Sequence, residues 1–456
     1  MIGAGPFARL RGTSLTARAV RSSLLSVGGF GTAQMLRLLS NLVLTRLLFP
    51  EAFGLMALVS VFMTGLQMFS DVGVTPAIMQ SRRGDDRDFL DTAWTIQVMR
   101  GAALTAVAVG LAWPMAWVYD EPMLAQLLPV AGLTLLISGF NPTRLDTAGR
   151  HLLIGRVTVI EVVSQVAGLI VAIALAWALQ SVWALVISGL VSAAVKLVLL
   201  DRFLPGARNR FRWEGPAATE LITFGKWIFL STVCGFLSHQ GDKLIIGRYL
   251  PLDLFGVYNI GYFLASFPML LGTMAVAKVL IPIYREAPPT ESRANFLKLR
   301  KMRASVTVSL LGLLAVAALL GVWAVDLLYD PRYAQAGAVV VILALAGIPQ
   351  IVALTYDQAA LAVGDSRRFF VLALAKAVIT IASLVMGLEL AGLLGALVAQ
   401  GVAHLAVYPV VTWLARRSGA WDPLHDVLGY AAGVGIIALA LWLNGPEILA
   451  LAADSG

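Results

Sequence analysis

The residues of this chain best placed to do chemistry are charged side chains embedded in apolar sequence. Arg37 lies among Met35, Leu36, Leu38 and Leu39, and Arg100, Lys196, Lys226, Asp242, Lys243, Lys278 and Lys376 sit inside or close to other apolar stretches. Acids in comparable settings are Asp71, Asp146, Glu161 and Asp357. An ionisable group near mid-membrane costs at least about 2.5–3.5 kcal/mol on insertion scales, so it faces a cavity or a partner. The set is mainly cationic, which suits an anionic ligand. His239, Asp242 and Lys243 fall at i, i+3 and i+4, on one face of a helix. A carboxylate placed there can hold a proton or Na⁺ in one state and pair with the lysine in another. Structural readings stand beside these. Lys196, Lys226 and Lys278 are one to two turns from the ends of their stretches and can snorkel. Asp242 with Lys243 can be a permanent pair. His404, near Gln400, reads as a hydrogen-bonded interior histidine, whereas His151 and His425 lie in polar segments and are expected to be solvated.

Enzyme signatures are missing. There is no nucleotide P-loop, no Gly-x-Ser-x-Gly elbow, no His-Glu-x-x-His pair and no Cys-x-x-Cys. Cys234 is the only cysteine, which excludes intrachain disulfides and cysteine-based metal or cluster sites. The glycines Gly28, Gly29 and Gly31 read as close helix packing rather than a phosphate loop. Basic segments hold few aromatics, so nucleic acid is not an expected partner. No cofactor and no metal is expected, and no catalytic residue.

The elements that carry these charges must be membrane helices. Of 456 residues, 59% are hydrophobic and 13% charged, against about 25% charged in a typical soluble domain. Mean hydropathy is +0.83. Apolar stretches of span length recur along the whole chain, which predicts an all-α polytopic membrane protein. The division expected is a basic arm (1–22), a six-helix lobe (23–204), a basic linker (205–218), a second six-helix lobe (219–416) and an extra helix with a tail (417–456). Alternate loops should be rich in Lys and Arg on the cytoplasmic side. Arg82, Arg83 and Arg87, then Arg144, Arg150 and Arg156, then Arg202, Arg208, Arg210 and Arg212 fit that rule, as does the run from Arg293 to Arg303. The intervening loops hold only Arg46, Arg248 and Arg332 among several acids. The N-terminus is therefore expected in the cytoplasm. A thirteenth span would leave the C-terminus outside.

The two lobes also share a pattern. Arg46, Glu51, Phe53 and Gly54 have the same spacing as Arg248, Asp253, Phe255 and Gly256, and each set falls in the outer turn after the first span of its half. Trp183-Ala-Leu-Val likewise matches Gly395-Ala-Leu-Val. Parallel repeats of this kind are related by a pseudo-two-fold axis along the membrane normal, and transporters place substrate between them.

The stretch Leu44-Thr-Arg-Leu-Leu-Phe-Pro-Glu-Ala-Phe-Gly-Leu55, followed by Asp71-Val-Gly73 and Ala77-Ile-Met-Gln80, resembles the start of Wzx-type polysaccharide flippases. So does Asp242-Lys-Leu-Ile-Ile-Gly247 followed by Phe255-Gly-Val-Tyr-Asn259. These belong to the multidrug/oligosaccharidyl-lipid/polysaccharide exporter superfamily, and the similarity runs over about 22–416. It implies two lobes forming a V around a cavity and a bacterial inner-membrane location. It also implies transport of an undecaprenyl-pyrophosphate-linked glycan for O-antigen, capsule or exopolysaccharide, without ATP hydrolysis. A polysaccharide polymerase and a chain-length regulator are the implied protein partners. Under this resemblance Arg37, Arg100, Lys243, Lys226, Lys278 and Lys376 would meet the headgroup. Asp242, His239, Asp71, Glu161 and Asp357 would serve ion coupling. The rivals are a lipid II flippase, a drug exporter of the same superfamily, and a membrane glycan polymerase or ligase. The last needs a sizeable outer loop, and every outer loop here is short.

Overall fold

A computed structural model describes residues 15–70, 73–151, 153–276, 280, 284, 286, 288–356, 366–417 and 419–454. Among the described residues the fold is all helix, with no strand. The helices are α1 (Leu15–Leu47), α2 (Pro50–Phe69), α3 (Val74–Gln80), α4 (Arg87–Tyr119), α5 (Leu124–Gly139), α6 (Arg144–Arg150), α7 (Ile154–Leu179) and α8 (Trp183–Phe203). They continue with α9 (Gly215–Tyr249), α10 (Leu252–Ala265), α11 (Phe267–Ala275), α12 (Arg293–Leu328), α13 (Ala336–Leu354), α14 (Ser366–Arg417) and α15 (Pro423–Asp454). Eight of the described helices are long and apolar enough to cross a membrane, or ten if each of two bent pairs, α5–α6 and α10–α11, is one span.

Helix α14 has 52 residues, which at 1.5 Å per residue is more than twice the thickness of a bilayer core. It is not one rod. The backbone leaves helical angles at Ala391 and Gly392, and Gly392 takes φ 52°, ψ −136°, a region open essentially to glycine alone. The expected spans 368–389 and 391–415 are therefore two helices joined by a two-residue turn. Helix α15 similarly breaks at Asn444, next to Pro446.

The chain divides into two compact units. Unit 1 comprises Met1–Leu48 and Val59–Val233; unit 2 comprises Phe49–Leu58 and Cys234–Gly456. Within unit 1, α4 packs on α5, α7 on α8 and α1 on α7. Residues 205–214, expected as a linker, form an extended strap fixed along α4. The backbone amides of Arg210, Arg212 and Glu214 donate to Asp91 Oδ1, Thr95 Oγ1 and Thr92 Oγ1, at 3.0–3.1 Å. Helix α9 then starts at Gly215, inside the range expected for the linker.

Unit 2 is built around α13, whose span is 83% buried. Such a helix, apolar all round, must be surrounded by others, and α10, α12, α14 and α15 do this. In the same unit the start of α2 crosses the start of α10. A Cβ at Gly54 would collide with the carbonyl oxygen of Leu252, and one at Gly256 with that of Pro50. These contacts are reciprocal: residues 50 and 54 are the repeat equivalents of 252 and 256. Only glycine permits backbones to approach so closely.

The C-terminal helix is tied into unit 2 by a buried polar clasp. Arg303 is fully buried on α12, donating to the Ala420 carbonyl (2.9 Å) and the Tyr284 hydroxyl (2.7 Å), with its guanidinium over the Tyr356 ring. Asp426 accepts from Tyr356, Tyr408 and Trp421. His425, expected to be solvated, is 7% exposed and lies 2.9 Å from both Asp426 Oδ1 and Thr307 Oγ1. The expectation fails because α15 begins at Pro423, which carries His425 into the helix packing instead of a loop. Arg303 likewise counted as a loop charge in the sequence reading and is an interior staple.

Candidate functional site

In unit 1, Arg37 projects from α1 as an exposed side chain. At about 100° per residue it shares its face with the buried Leu44 and points some 160° away from the exposed Met35. A cation on that side of α1 is turned away from the strongly apolar exposed face. Arg100, on α4, donates from Nε to Ser70 Oγ (2.9 Å) and from Nη2 to the Gln67 carbonyl (3.0 Å). It thereby joins the last turn of α2, where the Ser70 hydroxyl itself donates to the Leu66 and Gln67 carbonyls. Lys196 on α8 meets Glu161 on α7 at 3.0 Å. Of the two readings for Lys196, the contact made is a pair between neighbouring helices, and it occupies one of the acids expected for ion coupling.

Unit 2 has a different arrangement. Asp242 accepts a 2.6 Å hydrogen bond from the fully buried Tyr258 hydroxyl. Lys243 instead places its ammonium 4.6 Å from the centre of the Tyr262 ring. The two adjacent charges thus engage different partners, both on α10. Gln400, on α14, approaches the Tyr258 hydroxyl and buries an amide nitrogen that has no partner. Lys376 and His404 lie on the two limbs of α14. What unit 2 brings together is a half-buried carboxylate, a lysine held over a ring, two tyrosines and an amide. Such a cluster sets carboxylate, hydroxyl and amide groups together where a small ion or polar ligand can be hydrogen-bonded or ligated.

Tyr258 and Tyr262 are the residues that sequence reasoning missed. A signal existed. Asp242 lies seven residues before the end of α9 and Tyr258 six residues after the start of α10, so antiparallel helices joined by a tight turn hold them at one depth. Of the other residues expected at the site, the side chains of Lys226 and His239 lie outside the described set, as do Asp71, Lys278 and Asp357. Among the described residues no group of three His, Cys, Asp or Glu is arranged to hold a metal ion.

Two carboxylates outside the spans are held by arginines. Arg83 bridges Asp86 (2.9 Å) and Glu214 (2.7 Å). The hydrogen bond from Arg83, with that from the Asp88 amide, holds the Asp86 carboxyl below the usual carboxylate range. Burial pushes the Asp422 carboxyl up, but the paired hydrogen bonds from Arg300 and the His425 amide outweigh it and hold it low.

Residues 43–338 match a family described as polysaccharide biosynthesis protein. Among curated relatives, the succinoglycan biosynthesis transport protein ExoT of Rhizobium meliloti is 24% identical over 408 residues, covering 87% of this chain and 79% of ExoT. The amylovoran biosynthesis protein AmsL of Erwinia amylovora is 24% identical over 59% of this chain and 69% of its own. Among solved structures, the lipid II flippase MurJ in an inward closed conformation superposes with a TM-score of 0.66 at 11% identity, covering 93% of this chain and 99% of that one. An inward-facing multidrug-resistance MATE transporter gives 0.61 at 14% identity, over 85% and 95%. At these identities the structural likeness is one of fold.

Proposed function

Because this chain belongs to the polysaccharide biosynthesis protein family, as a multi-pass bacterial inner-membrane protein of the polysaccharide-transport superfamily related to Wzx, MurJ and MATE proteins, we propose that it is a flippase for an undecaprenyl-pyrophosphate-linked oligosaccharide. It moves the glycan from the cytoplasmic to the periplasmic leaflet by alternating access, coupled to an ion, in O-antigen, capsule or exopolysaccharide export. A polymerase and a chain-length regulator would receive the product. The observation that carries this reading is Arg37, a cation set on the side of α1 away from the exposed apolar face. A lipid tail can stay in the bilayer, and only the anionic, hydrophilic headgroup needs such a path. A drug exporter moving cations would favour acids there. The division into two six-helix lobes related by a pseudo-two-fold axis, 23–204 and 219–416, joined by 205–218 and followed by 417–456, is supported by the shared spacing of Arg46, Glu51, Phe53 and Gly54 with Arg248, Asp253, Phe255 and Gly256.

In this reading Arg37 and Arg100 meet the headgroup, with Lys226, Lys243, Lys278 and Lys376. Asp242 leads the coupling set, ahead of His239, Asp71 and Asp357; Glu161, held by Lys196, comes last. The deciding experiment is flipping of several lipid-linked glycans in proteoliposomes. Translocation of a drug cation in place of every glycan would end the proposal. Orientation is tested with cysteines at exposed positions in a Cys234→Ala background. Those at Arg82, Arg210 and Lys301 should be shielded from an impermeant thiol reagent in intact cells, and those at Pro122 and Asp326 labelled.

A further inference from the structure

Beneath the strap of unit 1 lies a cavity of about 350 Å³, lined by the ends of α4 and α6 and by residues 205–209. Its polar wall includes Asp85, Asp91, Arg87, Arg144 and Arg208. The acids here are already answered. Asp85 meets Arg150 at 3.1 Å and His151 at 2.9 Å; Asp91 accepts from the Asn209 amide (3.2 Å) and the Arg210 backbone; Asp201 meets both Arg144 and Arg208. Positive charge is left over. Arg87 approaches Asp91 only at 3.9 Å and is 57% exposed, Arg208 is 79% exposed, and Arg210 is exposed beside them. Arg144 is 92% buried at the wall, and its Nε has no hydrogen-bond partner. Large apolar side chains stand open around the same end of the unit: Phe203 closes α8, Phe211 and Trp213 alternate with the strap arginines, and Leu153 precedes α7.

A fixed basic cavity beside a span end, ringed by exposed aromatics, has the makeup of a lipid-headgroup site. Aromatic rings settle at the membrane–water interface, and basic pockets on the cytoplasmic side of membrane helices take anionic headgroups. A volume of this size admits a small ligand. The strap cannot drift from the cavity, because three of its amides are hydrogen-bonded to α4. We propose that this cavity binds the phosphodiester headgroup of an anionic phospholipid from the surrounding leaflet, seated between Arg87 and Arg208 with its chains along Phe203 and Phe211. Naming that leaflet as cytoplasmic rests on the orientation proposed above; the binding itself does not.

The experiment is native mass spectrometry of the full chain from nanodiscs of phosphatidylcholine doped with phosphatidylglycerol. The unchanged protein should retain phosphatidylglycerol in preference to phosphatidylcholine. Each arginine near a membrane surface is worth about fivefold in affinity for an anionic lipid. Arg87→Gln with Arg208→Gln should therefore weaken retention roughly 25-fold. Lys298→Gln with Lys301→Gln, two exposed lysines of unit 2, should leave it unchanged. Unaltered melting in pure phosphatidylcholine discs shows that the arginine variant is folded; if it is not, Arg208→Gln alone takes its place, with about a fivefold loss expected. Equal retention of the two lipids, or full retention by a folded variant, overturns the proposal. So does displacement of phosphatidylglycerol by an equal amount of undecaprenyl phosphate, which would make the cavity a port for the transported lipid. That last result would leave the flippase reading standing.

Discussion

In unit 1 the mid-helix cations are either exposed, as Arg37 is, or fixed on fully polar partners: Arg100 on Ser70 and the Gln67 carbonyl, Lys196 on Glu161. In unit 2 the corresponding charges sit on aromatic side chains, Asp242 on the Tyr258 hydroxyl and Lys243 over the Tyr262 ring. An arginine does not titrate in a protein, so unit 1 offers permanent positive charge. Unit 2 offers a carboxylate and a lysine side by side, each on a neutral partner. The difference is in keeping with the division of labour proposed above, with attraction of an anion in unit 1 and response to an ion in unit 2.

The largest effect expected separates two arginines that look alike in sequence. Arg303 is fully buried and its donors serve Tyr284 and the Ala420 carbonyl. Arg303→Ala should cost about 2–4 kcal/mol of stability, because it takes a donor from two buried polar groups at roughly 1–3 kcal/mol each. Arg37→Ala should cost almost none, because its side chain is exposed. Thermal melts in detergent check both. A fragile Arg37→Ala protein would make that residue a staple as well and break the comparison.

Next comes transport. A charge-assisted contact to a phosphate oxygen is worth about 1.5–3 kcal/mol. Arg37→Ala should therefore slow glycolipid flipping about 10–100-fold at normal abundance. Arg37→Lys should lose less, since it keeps the charge but not the bidentate fork. Normal flipping by the alanine variant would remove unit 1 from headgroup recognition.

The all-helical membrane architecture was readable because bilayer thickness imposes apolar stretches of one length, and Leu, Val and Ala supply them throughout. The turn inside α14 was readable too, at the Ala391–Gly392 break. The sites were less so. Counting arginines for topology treats each as a loop charge, yet Arg144 and Arg303 are interior, and no local pattern marks which arginine will meet a buried carbonyl 117 residues away. His425 was misplaced for the same reason, since its environment is set by α12 and α13. Tyr258 was concealed differently: an aromatic on a membrane helix reads as packing until the depth of the facing carboxylate is considered.

A smaller, conditional effect tests unit 2. If Asp242 and Lys243 couple flipping to an ion, Asp242→Asn with Lys243→Gln should fold and retain slow equilibration while losing its response to an imposed proton or sodium gradient. If they are structural, the double change should restore what either single change loses. Tyr258→Phe sharpens the test, because it removes the hydroxyl that bonds Asp242. It should weaken the response to the gradient more than the slow equilibration. A double variant with an intact gradient response would exclude this cluster from coupling.

The smallest effects lie outside the spans, where both units hold a carboxylate below its usual range. Asp422 is fully buried against Arg300 and Asp86 is half-exposed beside Arg83. A carboxyl whose folded pKa is depressed contributes stability in full above its unfolded pKa, near 3.9, and loses it as pH falls through the folded value. Both contributions should therefore be constant from pH 7 to about 5 and fade below about 4. Solvent screens the exposed pair and leaves the buried one. Melting curves should show Asp422→Asn lowering the melting temperature at pH 7 and shrinking the remaining drop on acidification. Asp86→Asn should barely move either number. Equal responses from the two variants would mean that the Asp422–Arg300 pair is as solvated as its counterpart, and that the clasp at the start of α15 opens readily.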